Sequence, residues 1–195
     1  MIERTQSSIP FVGLHAHSGT GSPFDGLGYP GEHMDFAYQN GNDALALTDH
    51  GNMNGFAYQV QHAQKMMKEG KDFKPIFGVE AYFLPSIEEW RQELERVKED
   101  KKAKKSIDKS ASGTTVEDEG NKREVKNLLN RRRHLILVAQ NQKGLNNIFS
   151  LVSKSYREEN FYRFPRIDYA MLKEHNEGVI AASACLGGVY AGNFW

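Results

Sequence analysis

Ala44-Leu45-Ala46-Leu47-Thr48-Asp49-His50-Gly51-Asn52 decides the fold class, because an apolar run of strand length stops abruptly in polar, turn-forming residues. A short apolar segment with such punctuation is the pattern of a strand buried on both faces. Upstream, Phe11-Val12-Gly13-Leu14-His15 reads as another short buried strand, followed by a Gly/Ser/Pro-rich loop from Ser18 to Gly31. The spacing of Met34, Phe36, Ala37 and Tyr38 then predicts a short helix from Gly31 to Asn40. Downstream, a helix from Gly55 to Glu69, stopped by Gly70, leads into a third strand at 74–83. This βαβαβ rhythm predicts an α/β fold, a parallel sheet covered by helices with functional groups at the strands' C-terminal ends, as in barrels and doubly wound folds.

Beyond the third strand the composition shifts. Glu88 to Arg133 is dense in Lys, Arg, Glu and Asp, with a Ser/Gly/Thr-rich centre at Ser110 to Thr115, and reads as a charged, partly disordered insertion over 88–133. Its first part, Ile87 to Lys105, suits a solvated helix. The clusters Lys101-Lys102-Ala103-Lys104-Lys105 and Arg131-Arg132-Arg133 could meet nucleic-acid phosphates, although blocks of like charge are more often a solvated face. The regular pattern resumes with a strand at 134–139, an amphipathic helix from Gly144 to Tyr156, a second helix from Asp168 to His175, and a last strand over 177–183 that delivers Cys185.

The chain has 195 residues, enough for one substantial core and tight for two. Lys plus Arg and Asp plus Glu are equal at 25 each, so no global field draws it to polyanions or membranes, and any such binding is local. No apolar run approaches the roughly 20 residues needed to span a bilayer, and the start of the sequence lacks a secretory pattern. A single cysteine leaves no internal disulfide and fits a reducing compartment. The expectation is a soluble cytoplasmic protein with no membrane partner.

His15-Ala16-His17 carries the first chemistry, because alternate residues on an extended chain face one side and both imidazoles can reach one ion. Alone, such a pair is more often two half-buried histidines. Here the later strands also end or begin in metal-binding types: Asp49 and His50, Glu80, His134, Cys185. With 7 histidines and 1 cysteine in the chain, that placement is a converging signal. Asp25 could fold back as another oxygen ligand, or be a turn residue before Gly26. Gly51 and Gly78 read as turn or close-approach positions, Asn52 as a polar contact near the site or a helix-start residue, and His33, His62 and His175 as surface or boundary histidines. Imidazole, carboxylate and thiolate together suit zinc first, then manganese or iron. The donors outnumber the roughly four of a closed structural zinc site, so several ions sharing carboxylates, and hydrolysis of a phosphate ester, become the chemical expectation.

The order His15-Ala16-His17, Asp25-Gly26, Thr48-Asp49-His50-Gly51-Asn52, Gly78-Val79-Glu80-Ala81-Tyr82, Arg133-His134-Leu135 and Ser183-Ala184-Cys185-Leu186-Gly187-Gly188 resembles a PHP (polymerase and histidinol phosphatase) domain. The closest variety is that of family C DNA polymerases, the alpha subunits of bacterial polymerase III and their phage relatives. The resemblance extends to the chemically inert Pro165-Arg166-Ile167-Asp168 and Glu174-His175-Asn176-Glu177-Gly178. It implies a distorted (β/α)7 barrel binding roughly two to three divalent ions. The implied ligands are His15, His17, Asp25, His50, Glu80, His134 and Cys185, with Asp49 behind them or an occasional ligand.

The family's later Asp-x-His pair has no counterpart before Trp195, so the barrel is expected to be incomplete, its remainder supplied by the rest of a polymerase or a complementing fragment. The implied function is proofreading 3′–5′ hydrolysis of DNA, single-stranded or at a 3′ end. A catalytically silent, metal-stapled platform for a polymerase is the alternative. A histidinol-phosphate-type phosphatase fits less well, given the polymerase-like strings around His50 and Cys185.

Overall fold

The structure, a computed structural model, describes residues 4–5, 11–110 and 130–191, with the backbone alone over 101–110. Its elements are α1 (Pro30–Gln39), β1 (Ala44–Leu47), α2 (Phe56–Lys68), β2 (Lys74–Phe83), α3 (Ile87–Ser110), β3 (Arg133–Ala139), α4 (Gln142–Ser155), β4 (Phe161–Tyr162), β5 (Phe164–Ile167), α5 (Tyr169–Glu174) and β6 (Val179–Ser183). Among these residues no helix is long and apolar enough to cross a membrane.

The α/β expectation holds, but the sheet is mixed rather than parallel throughout. β1 runs parallel to the first half of β2, and β5 parallel to its last residues. β3 runs antiparallel to β2, and β6 antiparallel to β3. The chain leaves β2 through α3 and re-enters at Arg133 opposite Phe83, on the rim where β2 ended, so β3 must run back down the sheet. That reversal explains why His134 begins its strand whereas His50 and Cys185 follow theirs. Six strands form the described sheet, and its outermost members do not pair with each other to close a barrel.

β2 is the spine. Gly78, Val79, Glu80 and Ala81 are all buried, as a strand covered on both faces requires. Gly78 is a close-approach position as expected: a Cβ there would meet Leu137 O at 2.5 Å. One side of β2 and β3 packs Val79, Phe83 and Leu137 against Ile148 and Leu151 of α4. Each such buried aliphatic contributes about 1.5–3 kcal/mol. Leu45 and Leu47 of β1 pack against Met34 and Ala37 of α1 and Met66 of α2.

The start of α3 departs from the solvated helix expected. Ile87, Trp90, Leu94 and Val97, at helical spacing, form a buried stripe with Leu84. Asp168 fixes both neighbouring helices, accepting from Met171 N at 3.0 Å and from Ile87 N at 3.2 Å. The Ser/Gly/Thr-rich centre over 111–115 and the side chains of the 101–105 lysine cluster lie outside the described residues. The pairing of β4 with β5 had no counterpart in the sequence reading, since these strands are too short to show a period.

Candidate metal centre

Backbone pairing lays the candidate ligands side by side. The segment carrying His15 and His17 runs along β1, with Ala46 N donating to Gly13 O (2.8 Å) and Thr48 N to Ala16 O (2.9 Å). Past β1, Glu80 N donates to Asp49 O (3.0 Å) and Gly51 N to Glu80 O (2.9 Å), which sets His50 beside Glu80. Gly51 takes φ +66°, the left-handed turn that lets the chain leave the sheet there. On the other edge of β2, Tyr82 faces His134, and His134 N donates to Gly187 O (2.9 Å), bringing the turn after β6 and its Cys185 alongside.

Glu80, fully buried, is the hub. Its Oε2 lies 3.1 Å from His17 Nε2, 3.0 Å from His50 Nδ1 and 3.7 Å from His15 Nε2, and its Oε1 lies 2.7 Å from His134 Nδ1. The imidazoles pack on one another, His17 stacked on His50 at 4.2 Å and edge-on to His15 at 4.6 Å. Asp25 reaches in from its loop, Oδ2 2.8 Å from His50 Nε2, so it does fold back rather than merely shape a turn. Three overlapping groups bring donor atoms within 4.8 Å of one another: His15, His17 and Glu80; His17, Asp25 and His50; His50, Glu80 and His134. Cys185 stands just outside them, with Sγ 3.7 Å from His134 Nδ1 and accepting from Gly187 N at 3.3 Å.

Several contacts orient these rings. Thr48 Oγ1 pairs with His15 Nδ1 at 2.7 Å, leaving Nε2 turned toward Glu80. Both oxygens of Asp49 are engaged by the loop after His17: Oδ1 accepts from Ser18 N (2.6 Å) and Ser22 Oγ (3.0 Å), and Oδ2 from Ser18 Oγ (2.7 Å). Ser22 Oγ also accepts from His50 N at 3.0 Å, so Asp49 organises the loop that bears Asp25 and steadies His50. Asn52 donates to Gly21 O and His50 O, tying the same loop to the exit of β1.

The donor set fits divalent cations. His17 Nδ1 and His50 Nδ1 are buried without a hydrogen-bond partner, the latter although it lies 3.0 Å from Glu80 Oε2, a cost of about 1–3 kcal/mol each unless something else satisfies them. Burial pushes the Glu80 carboxyl upward, yet hydrogen bonds to His134 and His17 and the charges of His50 and His134 outweigh it and hold the group well below the ordinary carboxylate range. The hydrogen bond to Glu80 raises His17 above 6.5, whereas burial lowers His15 below it.

A pH test follows from these directions. The stability that His17 gains from Glu80 is fully present below 6.5 and is lost as pH rises through its raised value. His15 titrates on the acid side of 6.5 and leaves that window clear. Metal-free protein is therefore expected to melt at lower temperature as pH rises from about 6.5 to 8. With manganese the slope should reverse, because an ion takes the neutral imidazole and displaces its proton. Melting curves in chelator and in metal give the two slopes, and equal slopes would rule out ions at these histidines.

The remaining histidines lie elsewhere: His62 pairs with Asp35, His33 meets Leu27 O, and His175 sits by Glu174. Arg131 is tied to Glu93. Tyr82 was missed in the sequence. Its ring stacks on His50 at 5.9 Å and meets His134 edge-on at 5.3 Å. The signal existed, since Tyr82 follows Glu80 by a strand period. Nothing in the local sequence marked Ser18 or Ser22, whereas Arg132 was read only as one member of the basic cluster 131–133.

Comparison with known proteins gives this geometry a family. DNA polymerase III subunit alpha of Aquifex aeolicus is 36% identical over 93% of this chain, and that of Borreliella burgdorferi is 35% identical over 92%. The chain spans only 13% and 12% of the length of those two relatives. Among solved structures, one from Bifidobacterium adolescentis described as a putative metal-dependent phosphoesterase overlaps 77% of this chain and 34% of its own, at 12% identity and a TM-score of 0.41. That likeness is too slight to carry a residue-level comparison. The family model described as "PHP domain" matches residues 13–191, every candidate ligand included, and the chain belongs to the PHP domain family.

Proposed function

We propose that this PHP domain is a metal-dependent phosphoesterase that removes nucleotides from the 3′ end of DNA within a replicative family C DNA polymerase. The observation that carries the reading is the buried Glu80 carboxylate with His15, His17, His50 and His134 turned on it, and with His17 Nδ1 and His50 Nδ1 buried beside it without a hydrogen-bond partner. His15, His17, Asp25, His50, Glu80 and His134 would hold the ions, with Cys185 beside His134. Zinc suits the set best, then manganese or iron, in roughly two to three sites sharing donors. Bound ions would acidify a water and offset the charge of the phosphoryl group and leaving oxygen. The exposed members, His15, Asp25 and Cys185, border the approach to the buried Glu80. The polymerase setting is supported by the names of the relatives.

A second reading is supported by the same geometry. The donors come from β2, β3, the segment beside β1, the exits of β1 and β6 and the Asp25 loop, so ions would staple separate elements and could serve a silent platform for the polymerase. Hydrolysis separates the two. Metal-supplemented chain, joined to the part that completes the barrel, is expected to shorten 3′-labelled single-stranded DNA, and His15→Ala to lose about 10–100-fold of that rate. No cleavage in any metal, with melting that still falls sharply in His50→Ala, would replace the hydrolase by the staple. Preferential attack on a phosphate monoester would point to a small-molecule phosphatase instead.

A further inference from the structure

We propose that Arg132 binds the backbone phosphate next to the one held at the histidine cluster, so that the site takes an oligonucleotide diester in preference to an isolated phosphate monoester. The proposal rests on the phosphoesterase reading above. The Arg132 guanidinium lies over the Phe164 ring, 3.7 Å from its centroid, and 5.2 Å from that of Tyr82. Tyr82 in turn touches His50 and His134, so one aromatic ring separates this cation from two of the donors.

Arg132 is also the cation of its cluster prepared for a ligand. Arg131 beside it is occupied by Glu93, at 2.6 and 3.2 Å. Arg132 is half-buried and donates to Asn130 O at 2.9 Å, while its Nε is buried with no hydrogen-bond partner. Among the described residues no carboxylate lies within ion-pair distance of it. Arg166 packs 6.0 Å from the same Phe164 ring and adds a second positive charge beneath. A stacked guanidinium is a planar fork already oriented, and phosphate is the anion that fork matches. A monoester at the histidines would leave it idle one ring away, whereas a nucleotide chain offers a second phosphate in its direction.

The test is equilibrium binding of a fluorescein-labelled, phosphorothioate-capped oligothymidylate to the manganese-loaded chain at several salt concentrations, with inorganic phosphate as the second probe. Arg132→Gln is expected to weaken the oligonucleotide about tenfold, reduce the salt slope by about 0.7, and leave phosphate affinity unchanged. Arg132→Lys keeps the slope and loses about threefold, since a point charge replaces the fork. It reads the same question should the Gln variant fail to fold. Unchanged oligonucleotide affinity in these variants, or equal loss for both probes, overturns the proposal. The two readings fail separately. A wild-type chain that binds through Arg132 but cuts no DNA removes the hydrolase and leaves the contact, whereas cleavage by wild type with an indifferent Arg132→Gln removes the contact and leaves the hydrolase.

Discussion

Glu80→Gln is expected to lose at least about 100-fold in metal affinity and a comparable factor in hydrolysis, while keeping the fold recognisable by circular dichroism. Both carboxylate oxygens of Glu80 face imidazole nitrogens, so the side chain supplies negative charge to two of the three donor groups at once. An amide of the same shape keeps one acceptor, and its NH2 is a donor turned toward nitrogens or an ion. Removing a single imidazole leaves the other donors nearly intact, which is why the hub should exceed any His→Ala change. Metal content of protein purified in limiting zinc, and the rate on 3′-labelled DNA, give the two factors. A Gln variant that retains its ions and its rate would mean that Glu80 is a buried acid satisfied by histidines alone.

The candidate ligands could be named from the sequence because strand chemistry is local. Alternation places His15 and His17 on one side of an extended chain, and a buried strand such as 44–47 must end in polar residues when it leaves the sheet. The reversal of β3 was not legible, because strand direction depends on where the 88–133 stretch returns, and charged sequence encodes no such geometry. Yet that reversal makes His134 a neighbour of Glu80. The burial of Trp90 and Leu94 was obscured by the charges around them, since a narrow apolar stripe is enough to dock one face of α3. Asp49 was the hardest to read. In sequence it stands beside His50 among cation-binding types, and only the fold reveals three donors already directed at its carboxylate.

Asp49→Ala is accordingly expected to destabilise the chain by about 3–5 kcal/mol, the range for removing one partner from a buried charged network. That is a large share of the roughly 5–15 kcal/mol that holds a domain folded. Ser18 N, Ser18 Oγ and Ser22 Oγ would lose their acceptor in a site where Asp49 is 3% exposed. Little can relax to replace it: the Gly21 backbone lies so close that a Cβ there would sit 2.4 Å from Asp49 Oδ2. At about 2–4 °C per kcal/mol, the melting temperature should fall by roughly 6–20 °C. Asp49→Asn should lose less, because one oxygen still accepts from Ser18 N while the serine hydroxyls can turn to accept from the amide. Melting in chelator decides what kind of residue Asp49 is. A residue whose only role is to hold an ion would leave the metal-free melting curve unchanged, whereas a scaffold residue lowers the metal-free melting temperature as well. The second outcome is expected, together with secondary loss of metal as His50 and the Asp25 loop drift from Glu80. Coincident metal-free curves for wild type and Asp49→Ala would instead make Asp49 a ligand.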